Sequence, residues 1–541
     1  MPAAAEGTGQ TVTVGAGGDF RTIAAALADR RIGDGATEAE RDHVVVLDGT
    51  YESERVTIGP GKRYVTIRAK NPGKVRIRVK RQLFRATKAD HITIADLHCS
   101  GGSNFGWFFY CHHIVLDGVR YTGGQHGVRF SSPPNSPRGG GGHSHTVRNC
   151  WFVGNGKSPD GGHSGIGIGD TATTSWAQRI LVEHCRLSNN GEDGIQPTAP
   201  TKHRIGMPTA AYIEIAHCEM KGNGENAVDL KACRYVRVHH NVMTGNGAPG
   251  IVVHSPENTG DTTGPHHCAV YSNLIADNGG HGYAQPDGDI QEGTRNLIFN
   301  NIVVRNRMGG IWTGSNRLNR GDRIFCNTVV GTTGRGTNGY RGGWGIDVGH
   351  DGDNRVTANI VFGNNNPGFR RGAKGVLAGN FTADPGFVSA KEDDYHLAPG
   401  SPALARRHSG RIFTAEEVKE YKSVLGEDLP INEFGPTTYQ DDAPRTGALV
   451  PGALGPPRPK GPRPKEPKPD ARKPAAAAPG AEADPASGKD RAGNSKAAQL
   501  YRAARQAERA GMGDLARLLY GRLVKEHPDS PLAEQAKDRL K

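Results

Sequence analysis

The sequence predicts an all-β fold, a parallel β-helix in which short strands stack coil upon coil. The first observation is a recurring sequence motif that consists of a β-branched run, a corner residue, an apolar pair and a second turn residue five positions after the corner. The second is the spacing of the corners, which runs from 23 to 35 residues and is typical of a repeat architecture. The third is the alternation of apolar residues, as in Ile213 and Ile215, which indicates strands rather than helix pairs.

Two columns of turn residues define the repeat. The corners are Cys150, Cys185, Cys218, Asn241, Asn273, Asn301, Asn327 and Asn359. The second turn residues, seven of them Asn, are Asn155, Asn190, Asn223, Asn246, Asn278, Asn306, Thr332 and Asn364. Asn tolerates the positive φ of a tight bend, and stacked Asn side chains can hydrogen-bond from coil to coil. We therefore expect Asn ladders, with the corner cysteines as small buried side chains rather than disulfides.

Composition narrows the function classes. The 541 residues include 77 Gly and 35% hydrophobic residues, which suits many tight turns around a narrow core. The sequence contains no run of 18 apolar residues, so no membrane span is predicted. No signal peptide is visible in the first ten residues, MPAAAEGTGQ. Of the net charge of +12, +8 falls in residues 451–541, so the body gives no indication of nucleic-acid binding. The absence of a C-x-x-C pair argues against a zinc or redox site.

The elements follow in order from the N-terminus. We predict strands at Thr11–Val14 and His43–Leu47, with an amphipathic helix at Ile23–Arg30 between them. Strands at Arg63–Arg68 and Lys74–Val79 continue the coil. A helix over the first coil would cover strand edges and core that are otherwise open.

Insertions occur mainly at one place in the repeat, after a strand that begins with Gly or Ala. They are Ser131–His143, Thr171–Gln178, Pro197–Thr209, Ser255–His267, Ala284–Thr294 and Thr313–Asp322. Loops on one side of a solenoid usually form its binding face.

Three segments follow the coils. Thr414–Leu425 is a predicted helix with a capping box formed by Thr414 and Glu417, and we expect it to pack on the C-terminal end of the coil. Residues 453–494 are a Pro/Lys/Ala-rich linker. Residues 495–541 predict a small α-helical appendage similar to tetratricopeptide repeats. It either docks a protein partner or self-associates, or is a marginal helical appendage.

The ends of the coil resemble a known family. GGDFRTIAAAL and VVVLDGTYESERVTI, with the later DPGFVSAKEDDYHLAPGSPAL and RTGALVPG, are similar to the opening and closing segments of pectin-lyase-like proteins. The resemblance covers about residues 10–452 and implies a right-handed parallel β-helix over residues 1–452. It also implies a carbohydrate-active protein that is extracellular or periplasmic.

Alternation along the strands after Gly194, Ala227 and Gly250 identifies the outward side chains. Lys231 and His254 are outward and 23 residues apart, so they should be neighbours on adjacent coils. The residues of the same outward stripe that we expect to contact substrate are Arg129, Gln196, Trp312 and Asp347.

An acidic corner lies beside these residues. Glu192, Asp193 and Asp229 offer the hard oxygen ligands that favour Ca²⁺. A cation that neutralises a uronate carboxylate makes the adjacent proton more acidic, and a base can then remove it. The arrangement resembles family-nine polysaccharide lyases, in which an acidic calcium cluster ends in Asp-Gly and a catalytic Lys follows on the next coil. The resemblance implies that Lys231 in NAVDLK is the base.

Three functions remain open. The leading hypothesis is a polysaccharide lyase acting on an anionic, uronate-containing polymer, with Lys231 or His254 as the base. Asp229 would hold Lys231 protonated unless a cation occupied that carboxylate, and His254 is then the alternative base or the acid. The second is a non-catalytic surface or carbohydrate-binding β-helix, tethered through its tail, in which Asp229 and Lys231 form a simple ion pair. The third is a glycoside hydrolase using Asp229 with Glu192.

Overall fold

The computed structural model describes the chain in ranges that carry most of the coils. These are residues 8–53, 55–131, 142–156, 164–169, 177–198, 209–254, 264–286, 293–314, 319–334, 342–348, 353–371, 376–392, 394–403, 413–431, 501, 520–521, 523–525, 528 and 530–540. The chain divides into two compact units, Met1–Ala453 and Leu454–Lys541. The predicted linker at 453–494 and most of the predicted insertions lie outside the described residues.

The first unit is a parallel β-helix with three sheets, each visited once per coil. The first sheet has 14 strands: Thr11–Val14, Asp42–Val46, Arg63–Ala69, Asp90–Ala95, Val115–Asp117, His143–Arg148, Gln178–Glu183, Ala211–Ala216, Arg234–His239, Ala269–Tyr271, Leu297–Phe299, Arg323–Phe325, Arg355–Thr357 and Val376–Ala378. The second sheet has 12: Gly49–Ser53, Val75–Val79, His98–Ser100, Arg120–Thr122, Trp151–Val153, Arg186–Ser188, Glu219–Lys221, Val242–Thr244, Leu274–Ala276, Ile302–Val304, Thr328–Val330 and Ile360–Phe362. The third sheet also has 12: Val56–Ile58, Gln82–Thr87, Asn104–Phe109, His126–Ser131, Ile166–Ile168, Ile195–Pro197, Val228–Lys231, Ile251–His254, His281–Ala284, Gly309–Trp312, Trp344–Val348 and Asn366–Arg371.

Few other elements accompany the sheets. The described ranges include the helices α1 (Ile23–Ala28), α2 (Ala415–Leu425) and α3 (Pro531–Leu540), with 3₁₀ turns at Glu38–Glu40 and Ala390–Glu392. An antiparallel pair, Phe387–Ser389 with Asp394–Leu397, follows the last coil. None of the helices in the described ranges has the length and apolar character of a membrane span.

Inward side chains fill the interior in register from coil to coil. Ile195, Val228 and Ile251 are aligned on consecutive strands of the third sheet, and all three are fully buried. Each such side chain contributes roughly 1.5–3 kcal/mol of burial free energy. The predicted all-β solenoid is confirmed by this stacking.

Two asparagine ladders run along the edges of the second sheet, as predicted. The first joins Asn241, Asn273, Asn301, Asn327, Asn359 and Asn380, with each Nδ2 2.9–3.1 Å from the next Oδ1. The second joins Asn155, Asn190, Asn223, Asn246, Asn278 and Asn306 at 2.8–3.1 Å. Each Asn therefore closes a turn and ties two coils together.

The positive φ of these turns lies one residue earlier than predicted. Asn273 itself is not left-handed, whereas the preceding Ser272 has φ 53°. The same holds at the second ladder, where Gly222 and Gly245 have φ 65° and 64° and each precedes a ladder Asn. The bend before the Asn turns its side chain along the axis, where the next coil can reach it.

The cysteines behave as small buried side chains. All eight are free and buried, which confirms the prediction for the corner column. Cys218 continues the ladder through its backbone, since its N–H donates to Oδ1 of Asn241 at 2.9 Å.

The two helices of the first unit cover different surfaces. Helix α1 buries Ile23 and Leu27 against the first coil, as expected. Helix α2 has the predicted cap, in which Thr414 and Glu417 satisfy each other's backbone N–H groups. Its position was predicted wrongly. It lies across the outer face of the first sheet, because aromatic residues there, including Phe299, form an apolar surface that α2 covers.

The described part of the second unit is small. Tyr520 and Leu523 pack against Ala536 of α3. The tetratricopeptide-like interpretation of residues 495–541 stays a prediction.

Candidate active site

The candidate site lies on the outer face of the third sheet. Arg129, Gly167 and Gln196 occupy equivalent positions on three consecutive strands. On the next two strands Asp229 aligns with Val252 and Lys231 aligns with His254. The predicted neighbour relation of Lys231 and His254 is therefore confirmed, because strand register carries it directly.

Asp229 is the centre of the site. Its carboxylate is 2% exposed, although it points away from the interior of the coil. Oδ2 lies 3.0 Å from Nζ of Lys231, and Oδ1 lies 3.0 Å from Nε2 of His254. Gln196 covers it from the preceding coil, donating from Nε2 to Oδ2 at 3.2 Å. One buried carboxylate thus holds a cation and an imidazole that both remain partly exposed.

Asp193 is a second buried carboxylate behind Gln196. It is 0% exposed, whereas the sequence analysis placed it among ligands on the acidic corner. Its Oδ1 accepts from N and Nδ2 of Asn226 at 3.0 and 2.9 Å, and its Oδ2 accepts from Nε2 of Gln196 at 2.9 Å. Asp193 is therefore part of the coil-to-coil packing.

The environment shifts the pKa values of Asp193 and Asp229 in opposite directions. Burial, followed by the negative charge of Asp229, raises the pKa of Asp193 well above its ordinary value. Burial opposes ionisation of Asp229 as well, but the hydrogen bond and charge of His254, together with Lys231, outweigh it and lower its pKa. Burial of Lys231 is likewise outweighed by Asp229, which raises the pKa of Lys231. Lys231 is therefore held in its protonated form.

Glu192 borders the site from the turn before the strand. It is half-buried, and its backbone carbonyl accepts from the N–H of Glu225 on the next coil at 2.9 Å. Burial and the nearby Glu225 raise the pKa of its carboxyl group. The stacking of these two residues agrees with the predicted register.

The donor set bears on the predicted calcium site. In the described part of the chain, the carboxylate oxygens of Glu192, Asp193 and Asp229 do not lie within 4.8 Å of one another as a set. The oxygens of Asp193 and Asp229 already accept from Asn226, Gln196, Lys231 and His254. As arranged, these three carboxylates do not fit a Ca²⁺ ion, which takes six to eight oxygen ligands. Calcium binding stays a prediction, and no chemical step below depends on it.

The remaining predicted contacts lie in the same row but at a distance. Trp312 is three strands beyond Asp229, about 14 Å away at the strand spacing, and Asp347 is one strand further. Trp312 stacks on His281, with ring centroids 5.1 Å apart, and Asp347 is buried. Arg129 lies two strands before Gln196 and three before Asp229, and its positive charge acts to lower the pKa of Glu192. The structure thus groups Gln196, Asp229, Lys231 and His254, and leaves Trp312 and Asp347 outside that group.

One feature of the row was missed in the sequence. The row extends towards the N-terminus through Trp107 and Arg85, which align with Arg129. The alternation within Asn104–Phe109 was the available signal for Trp107. Strand register does predict that Asp193 and Asn226 are neighbours on adjacent coils, and the structure joins them by two hydrogen bonds.

Comparisons with known proteins address the fold. Residues 198–320 match the family described as a right handed beta helix region, and no curated protein matches the chain. Solved structures that resemble it include pectate lyase Pel9A, at 14% identity and a TM-score of 0.40, over 56% of this chain and 76% of that one. An alginate lyase from Paenibacillus sp. str. FPU-7 has 13% identity and a TM-score of 0.35, over 68% and 97%. The polysaccharide lyase Pedsa3628 from Pseudopedobacter saltans has 14% identity and a TM-score of 0.39, over 76% of this chain and 98% of that one.

With every TM-score below 0.5, these likenesses carry no argument about chemistry. The fold rests on the three stacked parallel sheets and on the family match. This chain is a right-handed parallel β-helix protein.

Proposed function

We propose that the chain is a carbohydrate-active protein, a polysaccharide lyase that cleaves a uronate-containing polymer by β-elimination. The observation that carries the proposal is Asp229, which holds Lys231 and His254 at 3.0 Å each on the outer face of the third sheet. An ammonium group can neutralise a substrate carboxylate, and an imidazole beside it can remove the adjacent proton.

His254 is the base in this proposal. A carboxylate only accepts hydrogen bonds, so Nε2 of His254 carries the proton that faces Asp229. In the neutral ring the lone pair is then on Nδ1, which is oriented by the Asp229 contact. Lys231 is unsuited to this role, because Asp229 raises its pKa and holds its proton in place.

Lys231 neutralises the substrate. Its ammonium has three donors, so it can hold Asp229 and a uronate carboxylate together. That contact makes the proton on C5, adjacent to the carboxylate, more acidic. His254 takes this proton, the electron pair forms the C4–C5 double bond, the C4–O bond breaks, and the leaving oxygen takes a proton from water.

The rest of the row suits an anionic polymer. Arg129 and Arg85 flank Trp107 on consecutive strands, and successive strands are about 4.8 Å apart. Cationic and aromatic side chains at this spacing can contact successive sugars of an extended chain. An extracellular or periplasmic location is part of the proposal, since such polymers are found there.

The test is a panel of uronate polymers assayed for 4,5-unsaturated products by absorbance. His254→Gln preserves a donor to Asp229 but has no basic nitrogen, and we expect kcat to fall by about 100- to 10,000-fold. Lys231→Ala removes a charged contact, and we expect kcat/KM to fall by about 10- to 100-fold. Lys221→Ala changes an exposed lysine of the same coil on the second sheet and should leave both constants unchanged.

Each alternative predicts a different result. Full turnover in His254→Gln would remove His254 as the base. Reducing ends that appear without the unsaturated product would indicate the glycoside hydrolase, with Asp229 and Glu192 as its carboxyl pair. Retained polymer binding without any product would indicate the non-catalytic binding protein.

Calcium and the tail are tested separately. A rate that falls with chelator and returns with Ca²⁺ would support the predicted ion at Glu192, Asp193 and Asp229, whereas an unchanged rate would assign substrate neutralisation to Lys231. Docking of a protein partner or self-association through residues 495–541 is a further proposal, checked by comparing the mass in solution of the full chain and a chain ending at 494.

A further inference from the structure

A histidine cluster lies on the first sheet, away from the site on the third. A ring nitrogen from each of His217, His239 and His240 lies within 4.8 Å of the other two. His239 is the last residue of its strand, and His217 and His240 hold the same bend position on adjacent coils, each with φ 54°. That left-handed bend turns His240 back towards its neighbour His239, although successive side chains of a strand normally point to opposite faces.

The protonation of the cluster follows from its contacts. Oε1 of Glu214 lies 3.0 Å from Nε2 of His239, so Nε2 carries the proton and Nδ1 presents a lone pair. Nδ1 of His240 lies 2.9 Å from Nδ1 of His239. A proton on His240 satisfies that contact, and a cation that binds both nitrogens can replace it.

We propose that His217, His239 and His240 bind a divalent transition-metal ion, with Zn²⁺ as the best fit. Imidazole nitrogens are the ligands that Zn²⁺, Cu²⁺ and Ni²⁺ favour. Zn–N bonds of about 2.0–2.1 Å in a tetrahedral site place ligand nitrogens about 3.4 Å apart. The 2.9 Å contact and the other separations, all within 4.8 Å, bracket that value.

The surroundings support an ion at this place. Glu214 accepts from the ring of His239, which is the arrangement that fixes a metal-binding imidazole in orientation. His217 is exposed, so an ion can enter from solvent, and His239 is buried, so its orientation is constrained. The small Ala216 aligns with His239 on the preceding strand. The ion would connect two coils, since His217 lies on the coil before the one that carries His239 and His240.

A second cluster consists of Asp90, His91 and His113, whose three ligand atoms also lie within 4.8 Å of one another. Oδ1 of Asp90 lies 2.9 Å from Nδ1 of both histidines and makes a hydrogen bond with His113. Histidine rings stack in both clusters, with centroids 4.1 Å apart for His91 and His113 and 5.0 Å apart for His217 and His240. The first cluster offers three imidazoles instead of two, and imidazole nitrogens favour Zn²⁺, Cu²⁺ and Ni²⁺, so it is the better metal site.

The test is calorimetric titration of the full chain, without an affinity tag, with Zn²⁺ at about pH 8, where histidine is neutral. We expect one high-affinity ion. Co²⁺ should give the visible absorption of a tetrahedral nitrogen site. Glu214→Gln should weaken Zn²⁺ binding by about 10- to 100-fold, the loss caused by removing a residue that orients a ligand. His217→Ala and His240→Ala should each weaken it further.

His184→Ala is the matched control. His184 holds the equivalent bend on the coil before and stacks on His217 at 4.9 Å, but it is not in the cluster. Its removal should change the affinity for Zn²⁺ by less than about threefold, which is smaller than the loss expected when a residue that orients a ligand is removed. The proposal is overturned if the chain binds no Zn²⁺, if His217→Ala and His240→Ala bind as the wild type does, or if His184→Ala loses as much as they do. Because His217 is exposed, its variant keeps the core intact.

Discussion

Replacing Asn273 by Ala tests how the ladders hold the coils together. Asn273 is fully buried in the first ladder. Its Nδ2 donates to the carbonyl of Val238 at 2.8 Å and to Oδ1 of Asn301 at 2.9 Å. Its Oδ1 accepts from N and Nδ2 of Asn241 at 3.0 and 3.1 Å. The substitution therefore removes four hydrogen bonds at once.

The size of the expected loss in stability depends on which hydrogen-bonding groups keep a partner after the substitution. Nδ2 of Asn241 keeps its bond to Ile215, and Oδ1 of Asn301 keeps the bond from the backbone of residue 273. The backbone N–H of Asn241 loses its side-chain acceptor inside the protein. Each hydrogen bond contributes about 1 kcal/mol net, and a buried unsatisfied group costs about 1–3 kcal/mol. Four lost bonds and one unsatisfied N–H together give an expected loss of about 5–7 kcal/mol in the free energy of unfolding.

Urea unfolding followed by far-UV circular dichroism measures this loss. Asn71→Ala is the control, because Asn71 makes an exposed hydrogen bond with Asp48, and it should cost less than about 1 kcal/mol. Asn273→Cys should lose less than Asn273→Ala, since Cys218 at the same corner donates to the carbonyl of Ala216 at 3.2 Å. If Asn273→Ala and the Asn71 control unfold alike, the ladders contribute nothing and the reasoning fails.

Three further predictions concern buried groups. Burial raises the pKa of Asp322 to about 6, so the folded chain holds a proton that the unfolded chain releases above about pH 4, and stability falls as the pH rises between these values. The free energy of unfolding of Asp322→Asn should therefore rise by about 3 kcal/mol relative to that of the wild type when the pH is raised from about 4 to about 7. A difference in urea midpoints between the two proteins that stays the same over this range would contradict the prediction. Phe299→Ala removes a ring stacked 4.8 Å from Tyr271 and from Phe325 beneath α2, which should cost about 3–5 kcal/mol and hasten proteolysis around α2. The eight buried thiols should react with a thiol reagent only in denaturant, and rapid labelling of the folded chain would show that the corner column is open.

Much of the fold was predictable because its information is local and repeated. A ladder Asn such as Asn246 recurs at a fixed place in each coil, and strand alternation sets which side chains point outward. Register then follows from stacking, which is why the pairing of Lys231 with His254 was predicted correctly. The cap of α2 at Thr414 was also predictable, since a capping box involves four consecutive residues.

Other features depend on contacts that no local pattern encodes. Arg237 pairs with Asp428 across 191 residues, and such contacts place α2 on the first sheet instead of on the end of the coil. Asp193 and Asp229 are both acidic residues near turns in the sequence. Only the packing of Gln196 and Asn226 around them buries both carboxylates and gives Asp193 its hydrogen bonds from Asn226.

By itself the sequence determined the solenoid, its ladders and the outward row, because a repeated strand-and-turn phrase can bury its apolar face only by stacking on its neighbours. The tertiary structure decided the burial of Asp193 and Asp229 and the assembly of His217 with His239 and His240. Those properties depend on burial and on distances between coils, which a left-handed bend or a neighbouring side chain changes by ångströms. Charge interactions at such short range in a buried environment change steeply with distance.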